Sequence, residues 1–206
     1  MNKLLVSLAL SLGMAGTAYA QEIIVGDAEA GSGKVATCAA CHGPDGNSPS
    51  AEFPKIAGLG EKYIYKQLTD IKVGERVVPQ MTGLLDDFDE QDLADIAAHY
   101  DAQETTRGVA DDADLVARGE EIYRGGDLAT GLPACTGCHS PTGRGNDPAG
   151  FPSLSGQHAT YIATQLTDFR EGERANDGES MVMRTIAGRL SNKDIEAVSA
   201  YIQGLR

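Results

Sequence analysis

Two stretches of the chain share one pattern of residues: Cys38-Ala39-Ala40-Cys41-His42 and Cys135-Thr136-Gly137-Cys138-His139. Together they contain all four cysteines of the 206-residue chain and two of its four histidines. In each stretch two thiols stand about one helical turn apart, and an imidazole follows at once. The chemistry of the chain therefore centres on two Cys-x-x-Cys-His sites.

Several kinds of site use paired cysteines. A zinc ribbon places its pairs about 15–20 residues apart, whereas 93 residues lie between Cys41 and Cys135. A disulfide oxidoreductase uses one pair beside a βαβ pattern, which neither pair has, and structural disulfides would not explain the histidines. Cys-x-x-Cys-His is the pattern of covalent haem attachment, in which the thiols form thioethers and the histidine binds the iron. We therefore predict two haem c groups, attached at Cys38 and Cys41 and at Cys135 and Cys138, with His42 and His139 as proximal iron ligands.

The rest of the chain repeats as well. Phe53-Pro54 returns as Phe151-Pro152, and Gln-Leu-Thr-Asp at 67–70 returns at 165–168, both at an offset of 98 residues. The offset is 97 at the cysteine motifs and 102 near the C-terminus, so the second half has a one-residue and later a four-residue insertion. The remaining matches are Gly58 and Gly156, Tyr63-Ile64 and Tyr161-Ile162, and Gly74-Glu75-Arg76 and Gly172-Glu173-Arg174. Such self-similarity indicates two copies of one structural unit.

Apolar spacing predicts that both copies are helical. Ile64, Leu68 and Ile71 stand at i, i+4 and i+7, and the second copy keeps this spacing. A later helix in each half has a candidate N-cap, Asp89 or Ser191, with an Asp three residues on. Further helices are predicted around 28–36 and 113–123, and no convincing alternating strand is found. The sequence thus predicts an all-α fold.

The stretch 103–112 is polar and lacks periodicity, so we place a linker there. This divides the chain into a first domain, 21–107, and a second domain, 108–206. Each has about 90 residues and no Trp, and a domain of that size is marginal on its own core. A buried macrocycle in each half would supply the missing apolar bulk.

The sixth iron ligand is a choice among few residues. Beyond the first twenty positions the chain has only Met81, Met181 and Met183, and at offset 102 Met81 matches Met183. A residue that merely fills a gap has no reason to recur in register, so we favour Met81 and Met183 and keep Met181 in reserve. His99 and His158 compete for the role, but neither recurs in the other half. The carbonyls of Pro54 and Pro152 are candidate acceptors for the second ring nitrogen of the proximal histidines.

The first twenty residues predict a signal peptide. Lys3 precedes a mostly apolar run over 4–16, and Ala18-Tyr19-Ala20 has the small-x-small form of a cleavage site. The run is too short to span a bilayer. Because Lys3 is the leader's only charged residue, the mature chain is one unit more negative than the −13 of the whole chain. This acidity argues against nucleic acid and anionic lipid as partners, and permits proteins with basic docking patches.

Taken together, these residues resemble the cytochrome c4 family, diheme class I cytochromes c of bacteria. The resemblance covers essentially the whole mature chain. The stretches that carry it are 38–49, 81–85, 92–98, 134–141, 156–161 and 190–195. It implies two tandem class I cytochrome c domains, each wrapped around one covalent haem, with His42 and Met81 on one iron and His139 and Met183 on the other.

The resemblance also implies a role. Members carry electrons in the periplasm from respiratory donors toward terminal oxidases, which would be the redox protein partners of this chain, and docking at a membrane surface is left open. The main rival is an enzyme, a diheme peroxidase, whose chemistry needs an iron with an open position; here each half offers a Met in register. A third reading is a haem subunit of a larger membrane complex. We expect an electron carrier, with no transmembrane anchor and no catalytic residues.

Overall fold

A computed structural model describes residues 24–110 and 112–206, so the predicted signal peptide, residues 1–20, lies outside the described residues. Within that range the chain is helical, with no β-strand and only isolated bridges joining Asp127 to Leu132 and Asn146 to Phe151. The helices are α1 (Ala28–Ser32), α2 (Ala39–His42), α3 (Glu61–Val73), α4 (Glu90–Asp101), α5 (Ala113–Gly125), α6 (Thr136–His139), α7 (Ala159–Glu171), α8 (Val182–Ala187) and α9 (Asn192–Gly204). Short 3₁₀ turns cover Pro79–Met81 and Asp147–Ala149. The predicted all-α fold is confirmed.

The helix starts follow the predicted caps. The Asp89 carboxylate accepts from the Asp92 amide at the start of α4, and the Asp92 carboxylate accepts in return from the Asp89 amide. Ser191 and Asp194 make the same reciprocal pair at α9. Each pair satisfies two amides that a helix start leaves without an intrahelical partner. The prediction for α1 was too long, because two glycines within three residues, Gly31 and Gly33, disfavour helix beyond Ser32.

In each half the N-terminal helix packs against the C-terminal helix, α1 against α4 and α5 against α9. A glycine allows the close approach at both crossings. A Cβ at Gly31 would lie 2.0 Å from the Asp95 carbonyl oxygen, and one at Gly119 would lie 2.1 Å from that of Ala197. The two helix pairs therefore have the same geometry in both halves.

This match exposes a third insertion that the sequence comparison missed. Gly31 lies seven residues before Cys38, whereas Gly119 lies sixteen before Cys135. The second half therefore carries nine additional residues ahead of its motif. The loop they form is closed by the Asp127–Leu132 bridge and holds Leu128, which is 97% exposed.

An exchange of large and small side chains distinguishes the two cores. Val35 on the chain after α1 packs in one buried cluster with Tyr100 of α4. At the matching positions the second half has Tyr123 of α5 and Ile202 of α9, again in one cluster. Backbone contacts support the match, because Gly58 donates to the Tyr100 carbonyl and Gly156 to that of Ile202. Each half thus buries one tyrosine ring where its N-terminal and C-terminal helices pack together. The ring comes from the C-terminal helix α4 in the first half and from the N-terminal helix α5 in the second.

The halves meet through paired contacts. The Lys55 amide donates to the Gln157 side chain at 2.9 Å, and the Gln157 amide group donates back to the Lys55 carbonyl at 2.7 Å. At the matching place the Ser153 amide donates to the Leu59 carbonyl at 3.0 Å. The repeated residues therefore face each other across an approximate two-fold relation.

Residues 102–110, which follow α4, are non-helical and are held by both halves. The Lys55 ammonium group, on a residue only 5% exposed, donates to the carbonyls of Thr106 and Gly156 at 2.6 and 2.9 Å. The Gln203 side chain of α9 donates to the Val109 carbonyl. The segment that we predicted to be the linker thus contributes to the contact between the halves.

Four side chains of α3, α7 and the turns after them extend the two-fold relation. Arg76 donates to the Tyr161 hydroxyl at 3.0 Å, and Arg174 donates to the Tyr63 hydroxyl at 3.1 Å. A shared pair of glutamines takes part as well. Arg76 donates to the side-chain oxygens of Gln67 and Gln165, and so does Arg174. We call these six residues the inter-half cluster.

Candidate haem sites

The first cysteine motif forms the short helix α2. Cys38 is its N-cap residue and Cys41 lies within it, so the two thiols are one turn apart. The second motif forms α6 in the same way, with Cys135 at the N-cap and Cys138 inside. Among the described residues all four thiols are free of disulfides. The local structure therefore presents two equivalent pairs of thiols.

Both motif histidines have one ring nitrogen fixed by a proline carbonyl. His42 Nδ1 donates to the Pro54 carbonyl at 2.9 Å, and His139 Nδ1 donates to the Pro152 carbonyl at 2.9 Å. These are the acceptors that the sequence predicted. A hydrogen bond from Nδ1 sets the tautomer and leaves Nε2 as the free donor atom for a metal.

Burial acts on the histidines in the same direction as ligation. It lowers the pKa of His42 and of His139, and the proline carbonyls offset only part of that effect. Burial therefore favours the neutral form of both imidazoles, which is the form that binds a metal. An aromatic ring stands beside each, Phe53 at 6.4 Å from His42 and Phe151 at 6.3 Å from His139, between ring centroids.

The thiols lie in apolar surroundings. Burial raises the pKa of Cys38, and it raises that of Cys135 to about 11. Reactive thiols of redox enzymes have lowered pKa values in electropositive surroundings. The environment of these cysteines thus fits covalent attachment of an apolar group better than disulfide exchange.

A cavity of about 840 Å³ opens beside α2 and collects the first set of predicted residues. Its mostly apolar walls are those a flat macrocycle needs. They include Cys38, Cys41, His42, Phe53, Ile64, Leu68, Met81, Leu85, Ile96 and Tyr100. Neither His99 nor His158 lines this cavity. His158 Nε2 instead donates to the Ser48 carbonyl at 2.9 Å.

The second half does not repeat the methionine region exactly. Met81 ends the 3₁₀ turn Pro79–Met81, whereas Met183 lies in the first turn of α8 and is half-buried. Met181 is the N-cap residue of α8, is 47% exposed and has a left-handed φ of 46°. The four-residue insertion therefore reshapes the loop around the second methionine. Of the two methionines there, Met183 is the better shielded.

A group of residues that sequence reasoning missed also lines the first cavity. Tyr161, Gln165 and Asp168 lie on α7 in the second half, yet they form part of the cavity wall together with Arg76 of the first half. All four positions recur in the repeat, and this retention of polar residues on a helix face was the available signal. The second half thus contributes to the wall of the first candidate haem site.

A buried hydroxyl beside the first motif has no partner. Tyr100 lines the cavity and is 1% exposed, and its hydroxyl has no hydrogen-bond partner among the described residues. An unsatisfied buried hydroxyl is costly. Together with paired thiols, a fixed imidazole and an apolar cavity, this orphaned group fits a site that is completed by a bound haem.

The comparisons with known proteins agree. The Cytochrome c family model matches residues 28–100 and 116–206. The chain is 61% identical to cytochrome c4 of Pseudomonas aeruginosa and 60% identical to cytochrome c4 of Azotobacter vinelandii, in both cases over 100% of this chain and 100% of the relative. The crystal structure of reduced recombinant cytochrome c4 from Pseudomonas stutzeri superimposes with a TM-score of 0.87 at 60% identity, covering 88% of this chain and 100% of that chain. The chain therefore belongs to the cytochrome c4 family, the electron-transfer cytochromes that carry two haem c groups in two cytochrome c domains.

Proposed function

We propose that each half holds its haem through two thioethers and two axial ligands. In the first half these are Cys38 and Cys41, with His42 and Met81 on the iron. All four line one cavity, which supports the assignment. In the second half they are Cys135 and Cys138, with His139 and Met183 on the iron. The supporting observations there are the matching His139–Pro152 hydrogen bond and the shielding of Met183 relative to Met181.

The protein in this proposal carries electrons and does no chemistry on a substrate. A bound haem supplies a one-electron iron couple. The chain's own contribution is to place a neutral imidazole and a thioether at each iron, since Met as a ligand favours the reduced state. With both axial positions filled, neither site offers the open position that a peroxidase needs.

The observation that carries the relay role is the shared wall of the first cavity. Residues of α7 in the second half line that cavity, and the inter-half cluster joins α3 to α7 beside it. The two haems then lie on either side of a packed, hydrogen-bonded contact rather than at the ends of a loose tether. An electron can enter at one half and leave at the other, so donor and acceptor need not compete for one surface.

The cellular setting is part of the same proposal. The mature chain begins after a cleaved leader, residues 1–20, and functions in the periplasm as two domains, 21–107 and 108–206. Its partners are respiratory donor complexes and terminal oxidases with basic docking patches, given the acidic balance of the chain. No helix among the described residues is both long and apolar enough to cross a membrane. Contact with the membrane, in this proposal, is peripheral.

A redox titration of the purified holoprotein tests whether the two sites are inequivalent. We expect two distinguishable one-electron midpoints, because 39 positions separate His42 from Met81 whereas 44 separate His139 from Met183, so the loops around the methionines differ. A single wave with equal midpoints would contradict inequivalent sites.

Ligand-binding kinetics test the electron-carrier assignment. Reduced protein mixed with carbon monoxide, and oxidised protein mixed with peroxide, should react slowly or not at all near neutral pH. Rapid carbon monoxide binding together with peroxidase turnover would support the enzyme instead.

A further inference from the structure

The orphaned hydroxyl of Tyr100 lies beside the first haem attachment. Tyr100 is in the last turn of α4, and its ring packs in the buried cluster that Cys38 borders. Both residues line the first cavity. No other polar group among the described residues satisfies the hydroxyl.

The Cys38 sulfur, which borders the same buried cluster and the same cavity as Tyr100, has lone pairs that can accept a hydrogen bond. Burial raises the pKa of the Cys38 thiol, and contact with the Tyr100 hydroxyl offsets part of that rise. Burial likewise raises the pKa of Tyr100, and the Cys38 sulfur raises it further. Their shared cluster and cavity place the two groups in one buried environment, although the hydroxyl makes no hydrogen bond to the free thiol.

The second half has no equivalent donor. Its phenol at this place, Tyr123, comes from α5 and already donates to the Ser140 carbonyl at 2.8 Å. The position that matches Tyr100 is Ile202, which has no polar atom. Of these matched positions, only Tyr100 therefore has a hydroxyl that is free to donate to a haem attachment.

We infer that the Tyr100 hydroxyl donates a hydrogen bond to the Cys38 sulfur once that sulfur is a haem thioether, and that Tyr100 is a positioning residue for the first haem. The thioether sulfur is a weak acceptor, but Cys38 borders the cluster that holds the hydroxyl, and that hydroxyl has no partner among the described residues. The bond satisfies the hydroxyl, restrains the attachment, and turns the positive end of the O–H dipole toward the first haem. A positive end of a dipole stabilises the reduced iron relative to the oxidised iron.

The test uses the full-length holoprotein with Tyr100→Phe, and Tyr123→Phe as the matched control. Both changes remove one buried phenol hydroxyl and keep the ring. In wild type, exchange into heavy water should shift a resonance Raman carbon–sulfur band of the first haem. Tyr100→Phe should abolish that shift, and Tyr123→Phe should leave it in place.

Two further readouts accompany the spectrum. The midpoint of one haem should fall in Tyr100→Phe, changing its oxidised-to-reduced ratio at a fixed potential by about threefold, as expected for a weak hydrogen bond. The midpoint potential of the other haem should stay unchanged in Tyr100→Phe. Tyr123→Phe should shift both midpoint potentials by less than Tyr100→Phe shifts the first. Tyr100→Phe should also lower the thermal unfolding temperature, because a satisfied hydroxyl is lost.

Opposite results would overturn the inference. If the hydroxyl has no partner in the holoprotein, removing it relieves a penalty and Tyr100→Phe unfolds at a higher temperature. If it binds a buried water instead, the carbon–sulfur band of wild type is insensitive to heavy water. Both outcomes leave the electron-carrier proposal intact, because neither concerns the axial ligands.

Discussion

The Arg76 guanidinium of the first half and the Tyr161 hydroxyl of the second are joined by a hydrogen bond of 3.0 Å. Arg174 and Tyr63 form the reciprocal bond, and Arg174 also stacks over the Phe169 ring at 4.5 Å. Arg174 is 8% exposed. Buried guanidinium groups are expensive unless every donor is used, so this contact is specific to one arrangement of the halves.

Replacing Arg174 should loosen the contact between the halves. Arg174→Gln removes the guanidinium that donates to Tyr63, Gln67 and Gln165, and only the two glutamines keep Arg76 as a donor. We expect a loss of about 1.5–3 kcal/mol, the range for a hydrogen bond to a charged group. The measurement is denaturant unfolding of the ferric holoprotein, together with the separation of the two midpoints.

Two variants control this experiment. Arg174→Lys keeps the charge but not the planar fork, and should lose nearly as much stability. Arg144→Gln removes an exposed arginine and should change stability little. Unchanged unfolding of Arg174→Gln would show that the cluster does not hold the halves together.

The methionine assignment predicts a spectroscopic pattern. In the oxidised protein, Met183→Ala should remove about half of the weak near-infrared sulfur-to-iron band, because one of two His–Met irons loses its thioether. Met81→Ala should remove the other half. Met181→Ala is the matched control and should leave the band unchanged, since that side chain is exposed at the start of α8. Loss of the band in Met181→Ala would show that the register across the second insertion is wrong.

The position of Asp168 in the wall of the first cavity predicts that the midpoint potential of the first haem depends on pH. Burial raises the pKa of this carboxyl above its ordinary value of 3.8, although Arg174 and Arg76 act against the rise. Because reduction removes positive charge from a neighbouring site, it raises the pKa further. The midpoint should therefore fall as the pH rises through the Asp168 titration, by a fraction of the about 59 mV per pH unit of full coupling.

Asp168→Asn should flatten that part of the pH profile. Glu171→Gln changes an exposed carboxylate on the same helix and should leave the profile as in wild type. The comparison with wild type also removes the contribution of the haem carboxylates, which all three proteins share. Identical profiles for all three would exclude Asp168 as the coupled group. The free energy of unfolding should depend on the same titration. Because the pKa of Asp168 is raised in the folded state, this carboxyl stabilises the fold below pH 3.8, and that contribution is lost as the pH rises through the folded-state pKa.

Gly119 should tolerate no side chain. A Cβ there would lie 2.1 Å from the Ala197 carbonyl oxygen, so Gly119→Ala must push α5 away from α9. We expect a loss of about 1–3 kcal/mol or more, as for other overpacked cores. Gly125→Ala is the control on the same helix, where a Cβ meets nothing within 4 Å. It should be neutral or stabilise the helix by up to about 1 kcal/mol, and equal losses in the two variants would contradict the packing argument.

The sequence was sufficient for the parts of the structure that rest on local rules. Asp89 and Ser191 cap their helices as predicted, and the Pro54 and Pro152 carbonyls accept from the motif histidines. These contacts span short separations or depend on one residue type. The assignment of His42, Met81, His139 and Met183 as axial ligands remains a prediction.

Contacts between the halves could not be predicted in this way. Arg76 and Tyr161 both appear in the repeat, but a repeat does not say which of its members meet across the two-fold relation. The nine-residue insertion was missed for a different reason. The segment before the first motif is short, and the glycine at the helix crossing, Gly31, is the one residue there that matches its counterpart in the second half. Only the helix crossing reveals that Gly31 and Gly119 correspond.

The exchange of Val35 and Tyr100 for Tyr123 and Ile202 also bears on how the chain folds. Two similar units on one polypeptide could trade helices while folding, since α1 and α5 each present a glycine to a C-terminal helix. A mispaired α5 and α4 would bring Tyr123 and Tyr100 into one space, and a mispaired α1 and α9 would leave Val35 and Ile202 facing a void. Overpacking and cavities each cost about 1–3 kcal/mol or more, so the wrong partners are penalised twice. The different placement of the buried tyrosine in the two halves therefore favours pairing of each N-terminal helix with the C-terminal helix of its own half.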